Sequence, residues 1–120
     1  MVTASSFSEV TCIALVLLFV LSGSAAAASF DCRNALAPDE KAICADRGLS
    51  EKDVRMATMF DMLREVVLMG GHGALQDEQT IWLQKRQQCG KNTVCLSHLY
   101  DERIDTLNGQ YQHIINSLNQ

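Results

Sequence analysis

Cysteine is the residue type best placed to do chemistry in this 120-residue chain, and the spacing of its five cysteines decides which chemistry. Cys12 lies inside an apolar run, leaving Cys32, Cys44, Cys89 and Cys95 as C-x11-C and C-x5-C. Neither spacing is the C-x-x-C of dithiol redox proteins, and no C-x-x-C-H offers a haem attachment. With His72, His98 or His113 as further ligands the pattern still matches no common zinc site, so no metal and no cofactor is expected. An even number of cysteines in a short exported chain reads instead as two disulfides. Three pairings are open. The local one, Cys32 with Cys44 and Cys89 with Cys95, is favoured because each pair flanks a predicted helix end or turn. A loop of this size adds about 3 kcal/mol in the chain-entropy model. With the thiols so assigned, no G-x-S-x-G, H-E-x-x-H or phosphate loop remains, and no enzyme activity is expected.

Export is read from the N-terminus. Residues 12–21 (CIALVLLFVL) rise only about 15 Å as a helix, half a bilayer core. Ser22, Gly23, Ser24 and four alanines follow, which satisfies a small-residue cleavage site after Ala26, Ala27 or Ala28. Residues 1–28 are therefore expected to be a signal peptide, although its first ten residues carry Glu9 and no lysine or arginine. No lipobox precedes Cys12 or Cys32, so the product is expected to be periplasmic or secreted, without a lipid anchor or membrane span. Residues 29–120 hold ten basic and thirteen acidic residues, a net charge of −3. That balance argues against a nucleic-acid partner, which needs a clustered basic surface.

The elements that must position the cysteines all read as helices. Pro38, Asp39 and Glu40 open a short one, with proline at the first position and two acids against the positive end of the dipole; Gly48 is expected to close it. Ser50-x-x-Asp53, with Leu49 and Val54 as a hydrophobic staple, predicts the start of a second helix. Its apolar row is Val54, Ala57, Phe60, Leu63 and Val67, and Gly70-Gly71-His72-Gly73 is expected to stop it. A third helix is predicted over residues 75–89, carrying Leu75, Trp82 and Leu83 inward, with Gln79 and Arg86 on neighbouring rows. After a turn at Gly90-Lys91-Asn92 comes a long fourth helix, seamed by Leu96, Tyr100, Ile104, Leu107, Tyr111, Ile114 and Leu118, with Asn108-Gly109 as an expected bend. Met56, Met59, Met62 and Met69 read as adaptable core. No strand-length alternation occurs. The fold class is all-α: one domain, an antiparallel bundle of one short and three longer helices, stapled by disulfides.

The string Cys32-x7-Glu40-x2-Ile43-Cys44-x4-Leu49-x3-Asp53, followed by Gln79-x2-Trp82-x3-Arg86-x2-Cys89-x5-Cys95-x4-Tyr100-x2-Arg103-x3-Leu107, resembles the LprI-like lysozyme-inhibitor family of bacterial envelope proteins. The likeness covers about residues 32–110, with Phe60 where the family usually has tyrosine and Lys52 where an apolar residue commonly precedes the aspartate. It implies an exported helical domain that binds lysozyme or another peptidoglycan-active enzyme. A protein that fills the cleft, or offers donors to its two carboxyl groups, would block it. An acidic inhibitor would be steered toward such a basic target. Arg86, Arg103 and His72 are the candidate donors, with Trp82 beside them. Each has a structural alternative. Trp82 and Arg86 stand four apart and would stack. Asp53, Arg86 and Arg103 would form an ion-pair network joining three helices, with Gln79 and Tyr100 in the core. His72 would be a solvated loop residue and His98 a helix-surface one. The other function considered is an envelope interaction protein, of immunity or assembly type, with a non-lysozyme partner. The sequence leaves the oligomeric state open.

Overall fold

A computed structural model describes residues 28–120; the expected leader, with Cys12, lies outside them. Among the described residues the chain is all helical, in four α-helices: α1 (Pro38–Ala45), α2 (Arg47–Val66), α3 (Met69–Cys89) and α4 (Thr93–Leu118). A single 3-10 turn, Cys32–Asn34, precedes them, capped by the Asp31 side chain. Both disulfides take the local pairing, Cys32 with Cys44 and Cys89 with Cys95. The first ties the N-terminal segment to the end of α1; the second closes the turn between α3 and α4.

Capping chemistry sets the boundaries and moves two of the expected ones. Pro38 opens α1, and Glu40 reaches back to accept from the backbone N–H groups of Leu36 and Ala37. That helix ends at Ala45, before Gly48. Asp46 then closes α1 and caps α2 at once, its Oδ1 accepting from Leu49 N at 3.0 Å, so α2 begins four residues before the Ser50 start read from the sequence. Ser50 is no cap: it is buried, and its hydroxyl donates to the Ile43 carbonyl at 2.6 Å. At the other end, α2 stops at Val66 because Val67 and Leu68 turn extended. The glycine-rich stretch lies inside the first turns of α3. Gly71 is needed there for closeness, since a Cβ at that position would stand 2.5 Å from Val67 Cγ1. Gly90, at φ 54°, ends α3 in a backbone region that glycine favours. Asn92 caps α4 by accepting from Cys95 N, and α4 runs unbroken through Asn108-Gly109.

Helix directions follow from side-chain pairs. Lys52 meets Ser97 and Asp101, and Asp53 meets Tyr100, while Leu63 and Ile114 share one groove; both numbers rise together, so α2 and α4 run parallel. Trp82 reaches Leu99, and Gln79 reaches Arg103, so α3 runs antiparallel to them. This is an up-down-up arrangement with α4 against both partners and α1 laid across one end. Its core holds Ile43 of α1, Leu49, Met56 and Leu63 of α2, Leu75 and Trp82 of α3, and Leu96, Tyr100 and Leu107 of α4. The inward row of α2 therefore passes through Leu49, Asp53, Met56 and Leu63; Val54, expected inside, is exposed. On α4, Ile104, Tyr111 and Ile114 are half-buried and Leu118 is exposed. Of the methionines, Met56 is core, Met59 packs against it and Met62 is exposed.

Two glycine substitutions separate close packing from helix propensity. Gly73→Ala meets nothing within 4 Å and is expected to raise stability by about 0.4–1 kcal/mol. Gly71→Ala must displace Val67 and is expected to lower the melting temperature. Thermal denaturation of both variants checks the pair, and equal stabilisation by both would contradict the geometry of the α2–α3 bend.

Candidate functional site

Each long helix presents one seam to the centre with a polar residue set among its apolar ones. On α2 the seam is Leu49, Asp53, Met56 and Leu63; on α3 it is Leu75, Gln79, Trp82 and Arg86; on α4 it is Leu96, Tyr100, Arg103 and Leu107. The spacing of three or four brings all the polar members inward, where the helices must satisfy them with one another.

The upper cluster is built around Arg86. Its Nε donates to Asp39 Oδ2 at 2.8 Å, and its Nη1 stands 3.8 Å from Asp53 Oδ1. The Tyr100 hydroxyl donates to that same Asp53 oxygen at 2.8 Å, and the backbone N–H of Ser29 donates to Asp53 Oδ2 at 2.6 Å. Asp39 and Asp53 are 1% and 0% exposed. The guanidinium lies 5.6 Å from the centre of the Phe30 ring and 5.9 Å from that of Trp82. Trp82 in turn meets Tyr100 edge-on at 5.1 Å and donates its indole N–H to the Leu99 carbonyl. Burial, reinforced by the Asp53 charge, holds the Tyr100 phenol far above the ordinary tyrosine range despite the pull of Arg86. Burial works against the Arg86 charge, and the Tyr100 and Asp39 oxygens more than offset it, so the guanidinium stays protonated.

One turn away sits a second cluster. Arg103 donates from Nε to Gln79 Oε1 at 3.1 Å and from Nη1 to Glu78 Oε2 at 3.3 Å. Gln110 also donates to Glu78, and the Gln79 amide rests on Met56 Sδ. The expected network of Asp53, Arg86 and Arg103 is thus divided: Arg86 pairs with Asp53, and Arg103 belongs to the Glu78–Gln79 group because it lies a full turn further along α4. The missing member is Asp39. Beside Pro38 it reads as a first-turn acid on the α1 dipole, a position that ordinarily sits in water, and nothing in the local sequence marks it as the partner of an arginine 47 residues away.

Of the four candidate binding residues, three are inside. Trp82, Arg86 and Arg103 are each 6% exposed and engaged with other helices. Their arrangement is the structural alternative, including the expected Trp82–Arg86 stacking. Only His72 is at the surface, on the first turns of α3, with one ring nitrogen 2.8 Å from the Val67 carbonyl. Beside it Leu68 is 84% exposed. His98 is a helix-surface residue, 3.5 Å from Glu102. Lys52 bridges α2 to α4 through Asp101 and Ser97 and lies in an open groove with Asp46, Thr93 and Val94. Among the described residues no group of three or more His, Cys, Asp and Glu side chains could hold a metal ion, and no helix is long and apolar enough to cross a membrane.

Comparison with protein-family models, with curated proteins and with solved structures finds no match. The residues of the Cys32–Leu107 string can be placed on the helices. Asp53, Gln79, Trp82, Arg86, Tyr100, Arg103 and Leu107 are all seam residues, so the string records how three helices fit together.

The buried cluster makes two expectations. Asp39→Ala leaves a buried guanidinium with a weaker partner and is expected to cost about 3–5 kcal/mol, read from urea denaturation. Tyr100→Phe leaves Asp53 one donor short, at about 1–3 kcal/mol. Because the folded state holds Tyr100 neutral, its contribution is complete below the unfolded tyrosine value of about 10 and is lost as pH rises from there toward the higher folded value. Denaturation at rising alkaline pH is therefore expected to weaken the native protein more steeply than Tyr100→Phe, and parallel slopes would contradict the Tyr100–Asp53 bond.

Proposed function

We propose that this chain is an exported helical module that works by binding a protein through its outer surface, with lysozyme or another peptidoglycan-active enzyme as the partner. The observation that carries the reading is the commitment of the polar seam. Asp39, Asp53, Tyr100, Arg86 and Arg103 are all buried and bonded across helices, which leaves the exposed faces to meet other molecules. Two disulfides support an oxidising compartment, the apolar N-terminal run supports export, and the net charge of −3 on residues 29–120 favours encounter with a basic enzyme.

The contact belongs to the α2–α3 bend. It carries a ring able to bond a carboxyl group, His72, next to the exposed apolar Leu68. With Arg86 and Arg103 inside, His72 is the remaining donor of the three that the family resemblance implied.

Lysozyme turnover measured with the exported protein tests this. Inhibition is expected at roughly 10 μM or below, and His72→Ala or Leu68→Asp should weaken it about tenfold, near 1.4 kcal/mol, without altering the melting temperature. Absence of inhibition at that concentration, with a different protein recovered from envelope extract, would replace lysozyme by the non-lysozyme partner of an assembly or immunity factor. Undiminished inhibition by both variants would move the contact away from the bend.

A further inference from the structure

The Arg86 cluster is one positive charge short. Among the described residues, Asp39 and Asp53 are both buried carboxylates and both have their ion pair with the same guanidinium. Tyr100 contributes a neutral hydroxyl. Two anions facing one cation leave a net negative charge in a region where an uncompensated charge is costly. Asp39 Oδ1 is also buried without a hydrogen-bond partner. The group closest to Asp53 from outside the helices is the main-chain nitrogen of Ser29, 2.6 Å from Oδ2. In an uncut chain that nitrogen is an amide and brings no charge. Yet Ser29 directly follows Ala26-Ala27-Ala28, which puts small residues at both positions a signal peptidase reads when it cuts before Ser29.

We propose that export processing cuts the Ala28–Ser29 bond and that the new Ser29 α-ammonium, itself at the surface, forms a part-buried ion pair with the buried Asp53, completing the charge balance of the Asp39–Arg86–Asp53 cluster. The step is a hydrolysis by the export apparatus: water adds across the peptide bond, the leader departs with the Ala28 carboxylate, and the Ser29 amine takes up a proton at neutral pH. Ala28 is buried in the uncut chain, so the cut precedes folding, as it does for a chain crossing a membrane unfolded. Trimming thereby selects one terminus. A chain cut one or two residues earlier would keep an uncharged amide against Asp53, and its ammonium would lie elsewhere. The groups that face the new terminus are Asp53 of α2, with Asp39 of α1, Arg86 of α3 and Tyr100 of α4 behind it. The pair exists only while the amine is charged, so its stabilisation is present at neutral pH and is lost as pH rises past the range in which a terminal amine, ordinarily at about 8, gives up its proton.

This inference rests on the export half of the proposed function and is independent of the partner. Intact mass of the exported protein reads the cut, with Ser29 expected as the first residue. A terminus at Ala27 or Ala28 would overturn the inference while leaving export intact, and a retained leader would overturn both. The ion pair is read by melting the exported protein beside a full-length variant with glycine inserted between Ala28 and Ser29, whose processed form carries one extra residue. The native terminus is expected to melt several degrees higher near pH 6, with the gap closing above about pH 9. A gap that is absent, or that does not depend on pH, would overturn the ion pair. Asp53→Asn need not fold well, so a second readout uses the native protein alone: held as an ammonium by Asp53, the Ser29 amine should be acylated more slowly at neutral pH in the folded state than after denaturant is added, and equal rates would also overturn it.

Discussion

The bundle depends on a single constraint: an arginine placed in its interior must be answered by carboxylates, and these come from two other helices. Arg86 on α3 takes Asp39 from α1 and Asp53 from α2, while Tyr100 of α4 secures Asp53 from the far side. A buried ion pair adds little to net stability, because desolvation consumes most of its attraction. Its effect here is to fix register. Sliding any helix by one turn, about 5.4 Å, would strand a charge in an apolar interior. The aromatic rings of Phe30 and Trp82 lie within reach of the guanidinium, so the cation meets π-faces as well as oxygens.

A chain of this size has little apolar core to spare for such a cluster, and the covalent links act where packing is thinnest. α1 is eight residues long, too short to be held by its own hydrophobic face. It is anchored by Ile43 in the core, by Asp39 on Arg86, and by the disulfide from Cys44 back to Cys32. The second disulfide spans a separation of only six residues. Its contribution is to hold the α3–α4 turn, so that Trp82 and Arg86 face Tyr100 in the unfolded-to-folded search with fewer alternatives.

How much of this was legible in the sequence follows from what each signal measures. The count of helices, the local cysteine pairing and the first half of the α4 seam, Leu96, Tyr100 and Leu107, are readable, because apolar spacing and turn residues report short-range geometry; the expected seam fails at Leu118, which is exposed. Apolar spacing puts the inward face of α2 on the Val54 row, of which Leu63 is core while Val54 is at the surface and Asp53 takes the inward position beside it; a count of apolar residues cannot see a buried carboxylate. The start of α2 was placed at Ser50 for a related reason. Ser50 and Asp53 match a capping pattern, yet the cap is Asp46 and both of the others are buried. The glycine-rich stretch read as a helix stop because glycine is a poor helix former; its role instead is to let α3 start against Val67. Asp39 stayed invisible as a partner of Arg86 because the pairing is long-range and its position beside Pro38 already had a local explanation.

The same division bears on function. A residue string made of seam positions constrains the shape of a scaffold. Seam residues are engaged with one another, so contact with any other molecule falls to the faces the seam leaves exposed. In this chain the exposed faces include Leu68 and His72 at the bend, Val94 at the start of α4 and Ile81 on α3. The ammonium of Lys52 reaches Asp101 and Ser97 across the groove, a charged contact between α2 and α4 near the surface. Core positions are held by the need to neutralise a buried arginine, a demand the exposed positions do not carry.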